Sequence, residues 1–385
     1  MAKTSARSKQ PTGRPARPAR QIAAANATGI PETYAARIAA VRERLAREKL
    51  DGLLLNRRTD QVWLTGFTGE DGALLVTSRG VTLISDGRFE ETARREAPWA
   101  KAIIRKQRGP DSIAIVLKAQ RLTKVGFDPD QTSHALFLGL RKAAPKIDLN
   151  PCGGWLSAAR EVKIDDEISR IRRAVAVAER AFLKVKKSLR PDLTERQIAA
   201  ALVYEMTRGG ASGPAFAPIV ATGANAALPH YAPEDVPIGR SGLLLIDWGA
   251  KVDGYVSDLT RVIALGTVPP NLAAAYRAVR GAHDRAVAAA KPGLPCARLD
   301  RVARSHLSQA GLSKAFNHSL GHGIGLDVHE LPSLRKSNKA TLQVGNVITI
   351  EPGAYLPGVG GVRLESDVWI TKDGAEVLSS LPLDW

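Results

Sequence analysis

Cysteine and long apolar runs are scarce in this sequence. Cys152 and Cys296 are the two cysteines among 385 residues, so a disulfide framework is not expected and a reducing compartment fits. Because the two cysteines lack CxxC spacing, the sequence also disfavours a thiolate zinc site. No stretch of about 18 uncharged apolar residues occurs, which argues against a membrane span. We therefore expect a cytoplasmic protein with no membrane partner.

Acidic residues are absent from the first thirty positions. The basic residues there are Lys3, Arg7, Lys9, Arg14, Arg17 and Arg20, and they contribute part of the net charge of +17. The segment is rich in Ala, Pro, Arg and Ser and lacks both hydrophobic periodicity and the apolar run of a secretory signal. We predict that residues 1–29 form a disordered basic tail. An organelle transit peptide stays open as an alternative, and nucleic acid is not expected as a partner apart from weak contact by this tail.

The length predicts about two or three domains. Short apolar runs (GLLLN, GALLVTSRG, VTLISDG, AIVLK and KVGFD) alternate with turn signals and helical stretches, which predicts an α/β domain over residues 30–155. A Pro/Gly-containing break follows. An amphipathic helix is predicted from Asp165 to Ser188, and Thr194 with Gln197 predicts a capping box for the next helix. Further helices and strands indicate a second, α+β domain over residues 160–385.

Two aspartates lie in one predicted β-hairpin, whose arms include LLLID and SDLTRVIAL. Asp253-Gly254 is a typical two-residue hairpin turn. Counting outward from it places Asp247 and Asp258 on one face, about 7 Å apart at Cα, with Thr260 opposite Asp247. Two like charges on an apolar face repel each other and lose hydration, so a bound divalent cation would neutralise them. Solvated acids on an edge hairpin are the alternative.

A histidine-rich segment and a second acidic pair extend this pattern. His318, His322 and His329 lie in NHSLGHGIGLDVHE, where the glycines predict a tight loop and HExxH is absent. Glu351 ends the strand NVITIEPG, where we expect Pro352-Gly353 to turn the chain, and Glu365 lies inside the strand GGVRLESDVWIT. An antiparallel pairing of these strands could bring both carboxylates to one face. Mostly oxygen ligands with one imidazole suit Mn²⁺, Co²⁺, Fe²⁺ or Zn²⁺ in a paired site.

Several of these segments together resemble a known family. They are FAPIVATGANAALPHY, LLLIDWGAKVDGYVSDLTR, HSLGHGIGLDVHELP, ITIEPGAY and GVRLESDV, in order over most of residues 165–385. The sequence resembles the pita-bread metallopeptidases, in the Xaa-Pro aminopeptidase and prolidase branch. VWLTGFTGEDGALLVT and LISDGRF resemble the accessory domain of that branch. The resemblance implies a creatinase/prolidase-type N-terminal domain, a pita-bread catalytic domain, and hydrolysis of a peptide's N-terminal bond, with a preference for Xaa-Pro.

The resemblance also implies two divalent cations, with Mn²⁺ expected before Co²⁺, Zn²⁺ or Fe²⁺. The five metal ligands it implies are Asp247, Asp258, His322, Glu351 and Glu365. In the implied chemistry, Glu351 takes up and passes on the proton of the attacking water. A homodimer is expected as well, because the accessory domain of relatives sometimes closes the pocket across a dimer.

Other positions take supporting roles under the same resemblance. His230, His318 and His329 are assigned to the substrate pocket, with His329 donating to the developing oxyanion and His230 positioning the substrate or leaving amine. Arg363 is assigned a supporting bond to a ligand carboxylate. Trp248 stands where the family more often has Phe after the first aspartate, and we expect this change to be tolerated.

Two other functions remain open at this point. A pita-bread hydrolase or lyase could act on a small non-peptide C–N or C–S compound. A pita-bread module could also bind peptide, protein or nucleic acid without catalysis, which the basic charge favours. The complete ligand set argues against the second alternative, because a binding module gains nothing from carboxylates that repel one another.

Overall fold

The computed structural model describes residues 29–106 and 109–385. The predicted basic tail, apart from its last residue, lies outside these described residues. The chain divides after Gly153 into two compact units.

The first unit is built on a mixed sheet flanked by helices. Its helices are α1 (Glu32–Arg47), α2 (Arg58–Thr65), α3 (Glu90–Glu96), α4 (Pro110–Ala119) and α5 (His134–Ala143). Its strands are β1 (Gly52–Leu55), β2 (Ala73–Thr77), β3 (Val81–Ser85), β4 (Lys101–Ile104), β5 (Lys124–Phe127) and β6 (Asp148–Pro151), in the order β4-β3-β2-β1-β5-β6. Strands β1 and β2 are antiparallel, whereas β1 and β5 are parallel. The predicted α/β class is confirmed.

One predicted strand of this unit is wrong. The run AIVLK was expected to extend a sheet, but Ala114 to Lys118 lie inside α4. Pro110 occupies the first turn of this helix, where its missing N–H costs nothing. Ile113 and Leu117 are both buried, at the four-residue spacing of one helix face. A short apolar run does not by itself distinguish a strand from a buried helix.

The second unit contains several helices, and the helix predicted from Asp165 to Ser188 is confirmed with those bounds. They are α6 (Trp155–Glu161), α7 (Asp165–Ser188), α8 (Glu195–Arg208), α9 (Pro270–Ala289) and α10 (Cys296–Gln309). The predicted capping box of α8 is present: Gln197 N donates to Thr194 Oγ1 at 3.2 Å, and Thr194 N donates to Gln197 Oε1 at 2.9 Å. Among the described residues, no helix is both long and apolar enough for a membrane crossing.

The strands of the second unit form small antiparallel sheets. They are β7 (Gly213–Pro214), β8 (Ile219–Thr222), β9 (Leu243–Trp248), β10 (Ala250–Val252), β11 (Tyr255–Val256), β12 (Leu259–Ala264), β13 (His322–Gly323), β14 (Glu330–Ser333), β15 (Val347–Ile350), β16 (Gly353–Leu356), β17 (Gly360–Arg363), β18 (Ser366–Thr371) and β19 (Gly374–Val377). The sheet orders are β12-β9-β8, β11-β10-β7, β14-β13-β15-β18-β19 and β16-β17. Apolar residues of α9 and α10 pack with Leu245, Val262 and Ile350 from these strands in one core. That core supports the strands on which the acidic residues lie.

Candidate metal centre

Asp258 lies at an interruption in the first hairpin, and Asp247 lies two residues before the interruption in the other arm. Strands β9 and β12 pair with Trp248 opposite Leu259, and β10 and β11 continue the same register with Val252 opposite Tyr255. Between these two ladders the pairing is broken at Gly249 and Asp258. A Cβ on Gly249 would lie 1.9 Å from Ser257 O, so the close approach of the two arms requires glycine. The register counted from the Asp-Gly turn is correct.

The second hairpin is interrupted in the same way at Glu351 and Glu365. Ile350 lies opposite Ser366 in the β15–β18 ladder, and Gly353 lies opposite Arg363 in the β16–β17 ladder. These two ladders also share one register, which places Glu351 opposite Glu365. The expected chain reversal at Pro352-Gly353 is therefore wrong, since the strand resumes at Gly353 and the turn comes after Leu356.

Thr260 joins the two hairpins. It forms an isolated antiparallel bridge with Glu365, in which Glu365 N donates to Thr260 O at 3.1 Å. Its hydroxyl donates to Glu365 Oε2 at 2.6 Å and accepts from Arg363 Nε at 3.1 Å. Arg363 Nη2 also donates to Asp247 Oδ2 at 2.6 Å. Thr260 and Arg363 thus hold one carboxylate of each hairpin.

His322 faces these carboxylates with an unprotonated nitrogen. Its Nδ1 lies 3.0 Å from Gly323 O, and a carbonyl only accepts, so the hydrogen is on Nδ1. Nε2 lies 3.5 Å from Glu351 Oε1 and 3.8 Å from Asp258 Oδ2. Burial lowers the pKa of His322 to about 4, so the ring is neutral near pH 7. This tautomer and charge state are those of a histidine that binds a metal through Nε2.

The carboxylates lie close together, and the positive charge beside them is too small to balance their negative charge. Burial raises the pKa of Asp247, and burial with neighbouring carboxylates raises the pKa values of Asp258 and Glu365 well above the ordinary range. Burial raises the pKa of Glu351 to about 8. Arg363 supplies one positive charge against four acids, and Asp247 Oδ1 is buried without a hydrogen-bond donor among the described residues. Divalent cations would neutralise this excess, and the oxygen-rich donor set suits them.

A compact three-residue group defines the centre of this arrangement. One ligand atom from each of Asp258, His322 and Glu365 lies within 4.8 Å of the others. Glu351 lies beside His322, and Asp247 raises the pKa of Asp258 through its charge, so both residues border the same group. The structure therefore brings together all five side chains that the resemblance assigns to the metals, and these side chains fit divalent cations.

The three pocket histidines lie around the carboxylates. His318 Nε2 lies 2.9 Å from the Tyr355 hydroxyl, and its Nδ1 lies 3.9 Å from Glu351 Oε2. The ring of His329 lies 4.3 Å from that of His322, centroid to centroid. Burial lowers the pKa of His329, and the nearby charge of His230 lowers it further. His230 itself is exposed, on the loop that follows β8.

Two polar residues of the site were missed in the sequence. Asp367 is fully buried, and its Oδ2 accepts from Asp258 N at 3.0 Å. The Tyr355 hydroxyl accepts from Arg363 Nη1 at 2.8 Å, and burial raises its pKa to about 12. The sequence contained a signal for Asp367, which lies two residues after Glu365 in a strand and therefore on the same face. It contained no signal for Tyr355, because a tyrosine in a strand is ordinary.

Trp248 packs in the core behind Asp247. It is completely buried, and its ring stacks on Phe182 with centroids 4.5 Å apart. Its Nε1 donates to Ala178 O at 3.0 Å, so the polar edge of the indole is satisfied. The structure thus accommodates tryptophan at this position.

Comparison with known proteins gives the family. The model of metallopeptidase family M24 matches residues 169–372, and the model of the Creatinase/Prolidase N-terminal domain matches residues 37–162. The chain belongs to metallopeptidase family M24. The resemblance seen in the sequence is confirmed, as are the pita-bread fold class and the hydrolase class. Membership of this metallopeptidase family implies divalent metal ions and a peptide substrate.

Full-length relatives of this M24 peptidase carry related names. The Xaa-Pro dipeptidase of Pyrococcus horikoshii is 32% identical over 338 residues, which are 88% of this chain and 95% of that protein. The crystal structure of an X-Pro aminopeptidase from Thermotoga maritima matches with a TM-score of 0.82 at 33% identity, over 89% of this chain and 99% of that one. An Xaa-Pro dipeptidase from Bacillus anthracis matches with a TM-score of 0.87 at 32% identity, over 91% and 99%.

Proposed function

We propose that this M24 peptidase hydrolyses the N-terminal peptide bond of peptides whose second residue is proline, with two divalent cations at its centre. The proposed ligands are Asp247, Asp258, His322, Glu351 and Glu365. The observation that carries the proposal is the convergence of three buried carboxylates and the partly buried Glu351 on a neutral imidazole, with Arg363 bonded to one of them. The proline preference is supported by the names of the relatives, which are Xaa-Pro dipeptidases and aminopeptidases.

The bound cations would polarise the scissile carbonyl and lower the pKa of water. In this proposal Glu351 accepts the proton of the attacking water and passes it to the leaving amine. Glu351 Oε1 lies 3.5 Å from His322 Nε2, which supports a place for its carboxylate beside the attacking water. Arg363 and Thr260 keep the oxygens of Asp247 and Glu365 in place, a role that their 2.6 Å bonds to these carboxylates support.

Two histidines act on the peptide in this proposal. His329 is exposed, and partial desolvation lowers its pKa, so the ring is neutral near pH 7. Its N–H donates to the carbonyl oxygen as negative charge develops there. His230 is exposed, so it contacts the peptide and orients the leaving residue.

Other features stay predictions. Mn²⁺ is the expected metal because oxygen ligands dominate the set. A homodimer, a cytoplasmic location and the domain boundaries at residues 30–155 and 160–385 also stay predictions.

The test is hydrolysis of Ala-Pro, Met-Pro and Ala-Ala, and of longer Ala-Pro peptides, by metal-stripped protein with added Mn²⁺. We expect Xaa-Pro bonds to be cleaved far faster than Ala-Ala, and metal analysis to find two ions per chain. Glu351→Ala should lose at least about 100-fold in kcat, the usual contribution of a general base. Glu376→Ala is the matched control, because Glu376 is exposed and bonds Arg172 at 2.7 Å at the surface.

Two results would contradict the proposal. Normal turnover by the Glu351→Ala protein would remove the assigned proton acceptor. Equal rates on Ala-Ala and Ala-Pro would remove the proline preference while leaving the peptidase.

A further inference from the structure

The loop that carries His230 has little secondary structure of its own. Residues 228–236 form no helix or strand, and they include Pro229 and Pro233. Backbone bonds hold the ends of the loop: Leu228 N donates to Asn225 O, and Arg196 N donates to Glu234 O at 3.1 Å. Something else must therefore fix the segment between these ends.

Glu195 connects both ends of this loop from the first turn of α8. Its side chain is completely buried. Oε1 accepts from Thr222 N at 2.8 Å, before the loop, and Oε2 accepts from Glu234 N at 3.2 Å, near the end of the loop. Asn225 Nδ2 donates to Oε1 at 3.1 Å, and the Tyr231 hydroxyl donates to Oε2 at 2.7 Å. Bonds from several donors to one buried carboxylate are strong and directional.

The same loop reaches the metal centre on its other side. Pro229 O accepts from Arg363 Nη1 at 3.4 Å, and Arg363 binds Asp247. The start of the loop rests on β17, where a Cβ on Gly361 would lie 1.9 Å from Ala226 O. His230 thus lies between a residue bonded to Arg363 and a residue bonded to Glu195.

We propose that Glu195 is a positioning residue for His230. Its carboxylate fixes Tyr231 and both ends of the loop, so the exposed imidazole is held in one place beside the metal centre. This inference rests on the proposed function, in which His230 contacts the peptide. Glu195 touches neither peptide nor metal and acts through Tyr231 and the loop backbone.

Tyr231→Phe and Glu195→Gln test the proposal. Tyr231→Phe removes the hydrogen bond from the tyrosine hydroxyl to Glu195. Glu195→Gln replaces one carboxylate oxygen with an amide NH₂, which cannot accept hydrogen bonds from the donors around it. We expect amide hydrogen exchange of residues 222–236 to accelerate at least 10-fold and kcat/KM for Ala-Pro peptides to fall about 10-fold, because small misplacements of a substrate-orienting group are costly. Mn²⁺ stoichiometry should not change, because neither residue belongs to the ligand set.

Glu167→Gln and Tyr255→Phe are the matched controls. Glu167 is also a buried glutamate in the first turn of a helix, and its Oε1 accepts from the Tyr255 hydroxyl at 2.6 Å. These variants should lose comparable stability with unchanged exchange at residues 222–236. If they accelerated exchange there as much as Tyr231→Phe does, the effect would be general loosening and the proposal would be wrong.

A double-mutant cycle with His230→Ala separates positioning from a purely structural role. The kinetic effect of Tyr231→Phe should disappear in the His230→Ala background, because the loop then has no imidazole to place. An undiminished effect, or unchanged exchange in Tyr231→Phe, would overturn the proposal. If the parent protein cleaved no Xaa-Pro peptide with Mn²⁺, the proposed function would fail, while hydrogen exchange would still test the anchoring by Glu195.

Discussion

Metal binding should release protons from this protein at neutral pH. Without cations, burial raises the pKa of Glu351 to about 8, so its carboxyl holds about 0.9 proton at pH 7. Burial raises the pKa values of Asp258 and Glu365 as well, whereas His322, with a pKa lowered to about 4, is already neutral. A cation needs ionised carboxylates, so its binding must displace these protons. We expect a release of at least about one proton per chain at pH 7.

The assay is calorimetric titration of the metal-free protein with MnCl₂ in two buffers of different ionisation enthalpy. The difference between the observed enthalpies gives the number of protons released. Glu351→Gln should lower this number by about one, because its amide carries no titratable proton. Glu376→Gln should leave it unchanged, because that side chain is exposed. A release of zero at pH 7 would show that the carboxylates are already ionised and that burial does not raise their pKa values.

Two more expectations concern stability. Between pH 6.5 and 8 the free energy of unfolding of the metal-free protein should fall by about 2 kcal/mol. The reason is that Glu351 keeps in the folded state a proton that the unfolded chain releases. This stabilisation is complete below the pKa of the unfolded state and is lost as the pH rises through about 8. Urea unfolding at several pH values measures it, and stability that rises over this interval would contradict it. Thr260→Val should cost about 1–3 kcal/mol and weaken Mn²⁺ binding about 10- to 100-fold, because Glu365 and Arg363 each lose a bond. Thr371→Val is the control, because the Thr371 hydroxyl donates to Gly374 O and accepts from Asp373 N, each at 3.3 Å, within one turn. Equal Mn²⁺ affinity in both variants would refute the role of Thr260.

The local sequence pattern was sufficient to predict the strand register of the first hairpin but not that of the second. The Asp253-Gly254 turn fixes a register, so the positions of Asp247, Asp258 and Thr260 followed by counting. The second hairpin has no comparable turn signal, and Pro352-Gly353 suggested a reversal where the strand only pauses. That ambiguity is physical, because proline and glycine mark a turn and a break in a ladder equally well.

Contacts between residues far apart in the chain could not be predicted from the sequence. The hydrogen bond that Asp258 N donates to Asp367 joins residues 109 positions apart, and the bond from Thr260 to Glu365 joins residues 105 positions apart. No local periodicity encodes such pairs. The resemblance placed the five ligand-type residues in one site, but the order imposed on the His230 loop by Glu195 became visible only with the fold.

The paired interruptions in the two hairpins restrict how this chain can change in length. Each hairpin has a break in an otherwise continuous ladder, at its acids or within two residues of them. The face on which each carboxylate lies therefore depends on the number of residues between it and the turn. Because side chains alternate between the faces of a strand, one residue inserted between Asp247 and Asp253 would turn that carboxylate away from its partners. Adding one residue to both arms would carry the acids outward together and keep them in register. Insertions should therefore be accepted at the tip after Leu356, or in matched pairs, and rejected singly inside either arm.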